Sequence, residues 1–295
     1  MNHVDVEWLE VSVEVDHETA EAVAEVLSRY AHRGVVVEGG PGGWESGPVV
    51  VRGYLPTDDE LWNRKKSIQE GLWHLGQIRP IAEPSFRKVA EKDWAEAWKK
   101  RLKVLRVGER VVICPSWLDY HPKPTDVVVQ LDPGMAFGTG LHPTTQLCLR
   151  ALEEFVQPGM DVLDLGTGSG ILAVAAAKLG ARRVLAFDND QQAVSVARGN
   201  IVDNDVSACV SVQSGSLQDV SGSYDLVVVN ILARVIVDMV EEGLSQRLRP
   251  DGVLITAGII VDKVPEVLTA FERSSLQLVD QRQRGDWVSL LAKRA

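Results

Sequence analysis

The first 86 residues carry apolar side chains at two different spacings. Residues 6–15 place them at every second position, which predicts a strand, whereas residues 16–30 repeat them at helical spacing behind the N-cap Asp16. Two short strands around VVVE and VVVRGYL, a helix over residues 57–74 and a last strand over residues 78–86 follow. The pattern therefore predicts the order βαββαβ in a small α+β domain.

That order is typical of ferredoxin-like domains, a fold that hosts many functions and specifies none. After it, residues 88–105 place apolar side chains, including Trp94 and Trp98, on one side of a helix and charges on the other. We interpret this segment as a connector helix that packs through its tryptophans. The predicted organisation is a ferredoxin-like domain over residues 1–86, a connector helix over residues 87–106 and a second domain over residues 107–295.

The second domain alternates strands with helices. Between residues 161 and 274, apolar runs of strand length are mostly separated by segments with helical spacing. Residues 276–293 then form two strands around a short turn at Gly285. This alternation predicts an α/β fold, namely a doubly wound, mostly parallel seven-stranded sheet covered by helices on both faces and completed by an antiparallel hairpin.

The net charge of −10 limits the partners that we expect. A protein that holds nucleic acid through its phosphates normally carries a basic surface, so direct nucleic-acid binding is not expected. One basic segment, residues 87–106, contains eight lysines and arginines against three acidic residues. We interpret it as the solvated face of the connector helix, with contact to RNA or to an acidic partner as the alternative.

Composition also bears on compartment and metal content. Cys114, Cys148 and Cys209 are far apart and form no CxxC pair, which disfavours a disulfide framework or a zinc site. The first residues are acidic and lack the cationic start and apolar core of a signal peptide, and no apolar run is long enough to cross a bilayer. We therefore expect a cytoplasmic protein without a metal and without a membrane segment.

A glycine-rich segment, VLDLGTGSG, connects a predicted strand to a predicted helix. Ligands of open α/β sheets bind at this end of the strands, and Gly166 and Gly168, on either side of Thr167, let the backbone approach a ligand closely. A dinucleotide fingerprint would require a small residue where Ile171 stands. The spacing DxGxGxG from Asp164 instead resembles motif I of methyltransferases, where the carboxylate holds the loop or faces the methionine ammonium.

A second carboxylate, Asp188, lies at the end of the following strand, where it can accept hydrogen bonds from both hydroxyls of a ribose. A methyltransferase and a nicotinamide oxidoreductase both use such an acid, so Asp188 indicates a nucleoside ligand without choosing between them. Ser216 and Leu217 are weaker candidates for the adenine edge. Asp190 is better suited to cap the next helix.

Three segments carry a more specific signal, namely FGTGLHPTT at residues 137–145, NILA at residues 230–233 and DWAEAWK at residues 93–99. Together they resemble the methyltransferases of large-subunit ribosomal protein eleven, and the resemblance covers the whole chain in domain order. It implies a class I methyltransferase fold and S-adenosylmethionine as cofactor. It also implies cofactor contacts at Phe137, Thr139 and Thr145.

Elementary chemistry applies to the first of these segments as well. Pro143 suits the first turn of a helix, and the free N–H groups of a helix N-terminus suit the carboxylate of a ligand. His142 fits a loop histidine that is bonded to the backbone better than it fits a catalytic base.

Asn230 ends the strand YDLVVVN, where many methyltransferases that act on nitrogen carry NPPY. Its side-chain oxygen and the following backbone carbonyl can align an amine for displacement, and alignment supplies most of the acceleration. We therefore predict Asn230 as the catalytic residue, also in contact with the cofactor. Ile231, Leu232 and Ala233 follow it, so no tyrosine is present to stack on a flat base, and a lysine or an N-terminal amine fits better.

The resemblance implies methylation of lysine side chains and of the N-terminal amine of ribosomal protein eleven, free or on the ribosome. The N-terminal domain would select that protein, and the acidic chain predicts a monomer. Three alternatives stay open: a lysine methyltransferase for another cytoplasmic protein, an RNA methyltransferase that uses the basic segment, and a nicotinamide oxidoreductase.

Overall fold

The computed structural model describes residues 7–31, 35–39, 48–77, 80–90, 103–131, 140 and 142–294. The chain divides into two compact units, the first extending to Lys103 and the second beginning at Val104. Each unit has a hydrophobic core of its own. The second unit thus begins slightly before the domain start at residue 107 that the sequence predicts.

The first unit is a four-stranded sheet packed against two helices. Its elements are β1 (Glu7–Val15), α1 (His17–Ser28), β2 (Val35–Gly39), β3 (Val49–Pro56), α2 (Leu61–Gly76) and β4 (Ser85–Ala90). The strand order is β2-β3-β1-β4 with every neighbour antiparallel, which is the predicted ferredoxin-like arrangement. Asp16 caps α1 as predicted, since its carboxylate accepts a 2.7 Å hydrogen bond from the Thr19 N–H.

β4 lies later in the chain than the sequence pattern predicts. The strand begins at Ser85, immediately after Pro84, because proline has no N–H to donate to a strand ladder. Val89, near the end of β4, packs against the cluster formed by Trp8 of the neighbouring strand β1 and Tyr54 of β3. This packing extends the strand into residues that the sequence pattern assigns to the connector.

The predicted connector helix is therefore wrong at both ends. Its first residues belong to β4, which continues to Ala90, and its last residues fall in a short strand, Leu105–Arg106. The intervening residues 91–102, with Trp94 and Trp98, lie outside the described residues. The helix remains a prediction for that segment.

The second unit is built on a seven-stranded sheet. Its strands are β8 (Asp161–Leu165), β9 (Arg183–Asp188), β10 (Val210–Ser214), β11 (Tyr224–Asn230), β12 (Leu248–Ile260), β13 (Leu276–Arg284) and β14 (Trp287–Arg294). The order is β10-β9-β8-β11-β12-β14-β13, with β14 antiparallel to both neighbours and the remaining pairs parallel. The mostly parallel sheet with a terminal hairpin is confirmed. A smaller sheet contains β5 (Leu105–Arg106), β6 (Val111–Cys114) and β7 (Val127–Gln130).

Helices cover both faces of the large sheet. They are α3 (Pro143–Phe155), α4 (Ile171–Lys178), α5 (Gln191–Asp203), α6 (Ala233–Glu241) and α7 (Val264–Arg273). Val228 of β11 packs into the core that contains α4 and α5, whereas Val227 and Val229 pack into the core that contains α6 and α7. Successive side chains of a strand point to opposite faces, so a doubly covered strand is apolar throughout. Among the helices that the structure describes, none combines the length and apolar character that a membrane span requires.

The carboxyl ends of β8, β9 and β11 meet at one edge of the sheet. β8 lies between β9 and β11, and the chain proceeds from β8 to one side of the sheet and later returns to the other. Such a reversal leaves a crevice outside the strand ends, which open α/β sheets use for ligands.

Candidate active site

The glycine-rich loop between β8 and α4 is attached to the end of β9. The N–H groups of Gly166 and Thr167 both donate to the Phe187 carbonyl oxygen, each at 2.9 Å. The Gly168 N–H donates to Asp188 Oδ2 at 2.8 Å. Gly166 has a φ of +72°, a left-handed conformation that residues with a β-carbon rarely adopt. These bonds fix the course of the loop at the carboxyl end of the strands.

Asp188 stands at the end of β9 with both carboxylate oxygens engaged. Oδ2 accepts the Gly168 N–H, and Oδ1 accepts the Asp190 N–H at 3.0 Å. Asp190 caps α5, because its carboxylate accepts the Gln192 N–H at 2.9 Å. The helix-capping role predicted for Asp190 is therefore confirmed, and Asp188 lies beside the glycine-rich loop.

Asp164 is the most deeply buried carboxylate at this edge. The Thr167 hydroxyl donates to its Oδ2 at 2.6 Å, whereas its Oδ1 is buried and has no hydrogen-bond partner among the described residues. Burial raises the pKa of Asp164 to about 7; the Asp188 charge also raises it, and the Thr167 hydrogen bond opposes the shift. An unsatisfied buried acceptor of this kind suits a ligand that donates a charged N–H.

Asn230 ends β11, between β8 and β12. Its side chain is buried; Nδ2 donates to Thr145 Oγ1 at 3.4 Å, and Oδ1 has no partner in the described part of the chain. With Nδ2 engaged by Thr145, the oxygen is the atom left to accept a hydrogen bond. The structure thus places Thr145 beside Asn230, a contact across 85 positions of sequence that no local pattern indicates.

His142 caps α3. Its Nδ1 accepts the Thr144 N–H at 3.3 Å and lies 2.7 Å from the Thr144 hydroxyl. Its ring packs edge to face on the buried ring of Trp287, with the centroids 4.7 Å apart. The interpretation of His142 as a histidine bonded to the backbone is therefore the one that the geometry supports.

The other residues that the sequence suggests for cofactor binding are Phe137, Thr139, Ser216 and Leu217. Phe137 and Thr139 lie outside the described residues, so their predicted cofactor contacts remain predictions. Ser216 bonds within its own turn, since its N–H donates to Asp219 Oδ2 at 2.9 Å, and Leu217 packs in the core. The described residues contain no group of three or more histidines, cysteines or carboxylates that could hold a metal ion.

Comparison with known proteins decides the family. The family model described as ribosomal protein L11 methyltransferase (PrmA) matches residues 7–295. The ribosomal protein L11 methyltransferase of Chloroflexus aurantiacus is 48% identical and covers 97% of this chain and 98% of its own length. That of Herpetosiphon aurantiacus is 41% identical and covers 98% and 99%, respectively. The chain belongs to the ribosomal protein L11 methyltransferase family.

A solved structure from the same family supports the fold. The L11 methylase of Lactobacillus delbrueckii subsp. bulgaricus is 35% identical, with a TM-score of 0.60, and the match covers 65% of this chain and 98% of that chain. As a member of the L11 methyltransferase family, the chain is an S-adenosylmethionine-dependent methyltransferase with a class I α/β fold. The fold, the enzyme class and the cofactor predicted from sequence are confirmed.

The residues at the strand ends of this L11 methyltransferase family member fit its cofactor. The unpartnered Oδ1 of Asp164 suits a cationic amino group, and Asp188 has the chemistry that ribose hydroxyls require. A β-carbon at Gly166 would lie 2.5 Å from Ile231 Cγ2. The glycine-rich loop therefore lies so close to the residue after Asn230 that position 166 has no room for a side chain.

Proposed function

We propose that this chain transfers methyl groups from S-adenosylmethionine to amino groups of ribosomal protein L11, on lysine side chains and at the N-terminus. Relatives that match nearly its whole length carry that substrate in their names. The proposal rests on the side chain of Asn230, because its buried Oδ1 has no hydrogen-bond partner among the described residues. Asn230 ends β11, which pairs with β8, the strand that precedes the glycine-rich loop. An acceptor atom in that position suits the N–H of an incoming amine.

On the donor side, we propose that Asp164 binds the cofactor amino group and that Asp188 binds the ribose hydroxyls. Gly166, Thr167 and Gly168 would bring their backbone against the cofactor between these two carboxylates. When bound, the cofactor supplies a methyl group on a positively charged sulfur, which is already electrophilic. Contacts from Phe137, Thr139 and Thr145 remain part of the proposal.

On the acceptor side, the amine must be neutral to attack. The reference pKa of lysine is about 10.4, and an apolar environment favours the neutral form. Leu232 is 52% exposed and Ile231 is half-buried, so apolar side chains border the end of β11. Asn230 Oδ1 and the Ile231 carbonyl would accept the N–H groups of the amine and aim its lone pair, while the departing proton passes to water.

The same segment favours an amine over an RNA base. Ala233 stands where the tyrosine of NPPY would stack on a flat ring, and its methyl side chain cannot provide that contact. A flexible lysine needs only a narrow apolar passage and an aligned acceptor atom. An L11 lysine therefore fits the segment better than adenine does.

We also propose that the first unit selects L11 for the second. Truncation to residues 104–295 should leave cofactor affinity within about threefold and lower the rate with intact L11 by at least roughly 100-fold, because tethering through the first unit is lost. Cofactor titration calorimetry verifies that the fragment folds, and initial rates measure the loss. Equal rates for the fragment and the full chain would contradict the selector role. A cut after residue 86, the predicted domain boundary, would divide β4.

Labelling in a ribosomal extract tests whether L11, another protein or RNA is the methyl acceptor. The protein is incubated with methyl-labelled S-adenosylmethionine and ribosomal extract, with and without nuclease digestion of the RNA. We expect label in L11 in both samples. Label in another protein would identify a different lysine substrate, and nuclease-sensitive label would identify an RNA substrate.

We further propose that the protein acts as a monomer in the cytoplasm. The acidic composition, with a net charge of −10, and three widely separated cysteines support this assignment. L11 is then the macromolecular partner, free or on the ribosome.

A further inference from the structure

Ile231, the residue after Asn230, lies between two glycines of neighbouring segments. On one side, a β-carbon at Gly258 of β12 would lie 2.1 Å from the Ile231 carbonyl oxygen and 2.7 Å from the carbonyl carbon. On the other side, a β-carbon at Gly166 would lie 2.5 Å from Ile231 Cγ2. Both distances are far below van der Waals contact, so neither position has room for a side chain.

Gly258 approaches Ile231 this closely because β12 is irregular at this point. The ladder between β11 and β12 ends at the pair Asn230–Ala257, so Gly258 is the first residue beyond it. The pairing of β12 with β14 shifts register between Thr256 and Ile259, and Gly258 has a φ of +85°. A bulge of this kind bends the strand, and here it brings the β12 backbone against the Ile231 peptide.

We propose that Gly258 is a positioning residue for methyl transfer, acting through the Ile231 peptide on Asn230. The inference rests on the proposed function, in which Asn230 Oδ1 and the Ile231 carbonyl receive the amine. Gly258 fixes that carbonyl from the β12 side, while Gly166 fixes the Ile231 side chain from the cofactor loop. Together, the two glycines fix the distance between the atoms that receive the amine and the glycine-rich loop that binds the cofactor.

The size of the effect follows from the distances. An alanine at Gly258 has to push the Ile231 carbonyl oxygen from 2.1 Å to at least about 3.4 Å, a shift of more than about 1 Å, to reach ordinary contact. A misplacement of that size at a reacting centre costs about 100-fold in rate. Asp164 and Asp188 lie on β8 and β9, and β11 separates these strands from β12 with Gly258, so cofactor binding should be spared.

Gly258→Ala is compared with Gly222→Ala. Gly222 has a φ of +81°, and a β-carbon added there would have no atom within 4 Å, so the control carries the same backbone strain without the collision. We expect Gly258→Ala to lower kcat about 100-fold, with the L11 KM and the cofactor Kd within about threefold of wild type. Gly222→Ala should keep kcat within about twofold.

A second variant covers the case in which Gly258→Ala does not fold. Ile231→Ala removes the Cγ2 that meets Gly166 from a half-buried side chain, and should also lower kcat with unchanged cofactor Kd. Equal kcat for Gly258→Ala and Gly222→Ala, a parallel loss of cofactor affinity, or an unaffected Ile231→Ala would overturn the positioning role. Inactivity of the wild type toward L11 would contradict the proposed function instead, and the variants would then be compared on the acceptor found by labelling.

Discussion

Replacing Asn230 by alanine should lower kcat for L11 methylation by roughly 100- to 1,000-fold, which is the range for loss of one preorganised polar contact to a reacting group. The variant loses the Oδ1 that accepts the amine, and the Thr145 hydroxyl loses its partner. The affinity for S-adenosylmethionine should change by less than about tenfold, because the glycine-rich loop and the carboxylates of Asp164 and Asp188 remain. Single-turnover rates at saturating cofactor measure the chemical step.

Asn230→Asp is the matched control for this prediction. It keeps the size of the side chain and an oxygen acceptor, and the Thr145 hydroxyl can turn to donate to it. We expect this variant to keep more than about a tenth of the wild-type rate. A near-normal rate for Asn230→Ala would remove Asn230 from the reaction.

Replacing Asp164 by asparagine should stabilise the ligand-free protein above neutral pH and weaken cofactor binding by roughly 100-fold. Burial raises the pKa of this carboxyl from 3.8 to about 7, so the folded protein keeps a proton that the unfolded chain has lost. The free energy of unfolding therefore falls as the pH rises from about 4 to about 7, by up to about 4 kcal/mol. The neutral amide abolishes this decline, but it also loses the charge that attracts the cofactor amino group.

Denaturant unfolding at pH 5 and pH 8, with cofactor calorimetry, checks both parts of the Asp164 prediction. The stability gain of the variant should be larger at pH 8 than at pH 5. Asp203→Asn, which alters an exposed carboxylate in the last turn of α5, should change neither quantity. If Asp164→Asn is destabilised at pH 8 and still binds cofactor normally, the carboxylate serves only to hold the loop through Thr167.

Sequence patterns predict the centre of the second unit well because its strands are covered on both faces. β8, β9 and β11 fall within the predicted alternation of strands and helices between residues 161 and 274, and β11 ends at Asn230 as the sequence predicts. β12 is longer than the run at residues 253–257, since Leu248 also pairs with Tyr224 across an irregularity at residues 249–252, and Ile259 and Ile260 pair with β14. β4 is displaced because proline and packing against Trp8 decide its bounds, and neither effect appears as a periodic signal.

The candidate site shows a similar division. Asp164, Asp188 and Asn230 are predictable because each lies at or near the carboxyl end of a mainly apolar strand, and parallel strands bring these ends to one edge. The bond from Asn230 to Thr145 and the approach of Gly258 to Ile231 are not predictable in this way. Both contacts depend on the register of distant segments and on a bulge, which composition and spacing do not encode.

Intact mass spectrometry of purified, unmodified L11, incubated with S-adenosylmethionine and this protein, tests the proposed function most directly. We predict mass gains in steps of one methyl group, located on lysine side chains and on the N-terminal amine. The gains should be absent with Asn230→Ala at matched cofactor saturation. An unchanged L11 mass, with cofactor binding to the wild-type protein demonstrated in the same sample, would contradict L11 as the acceptor.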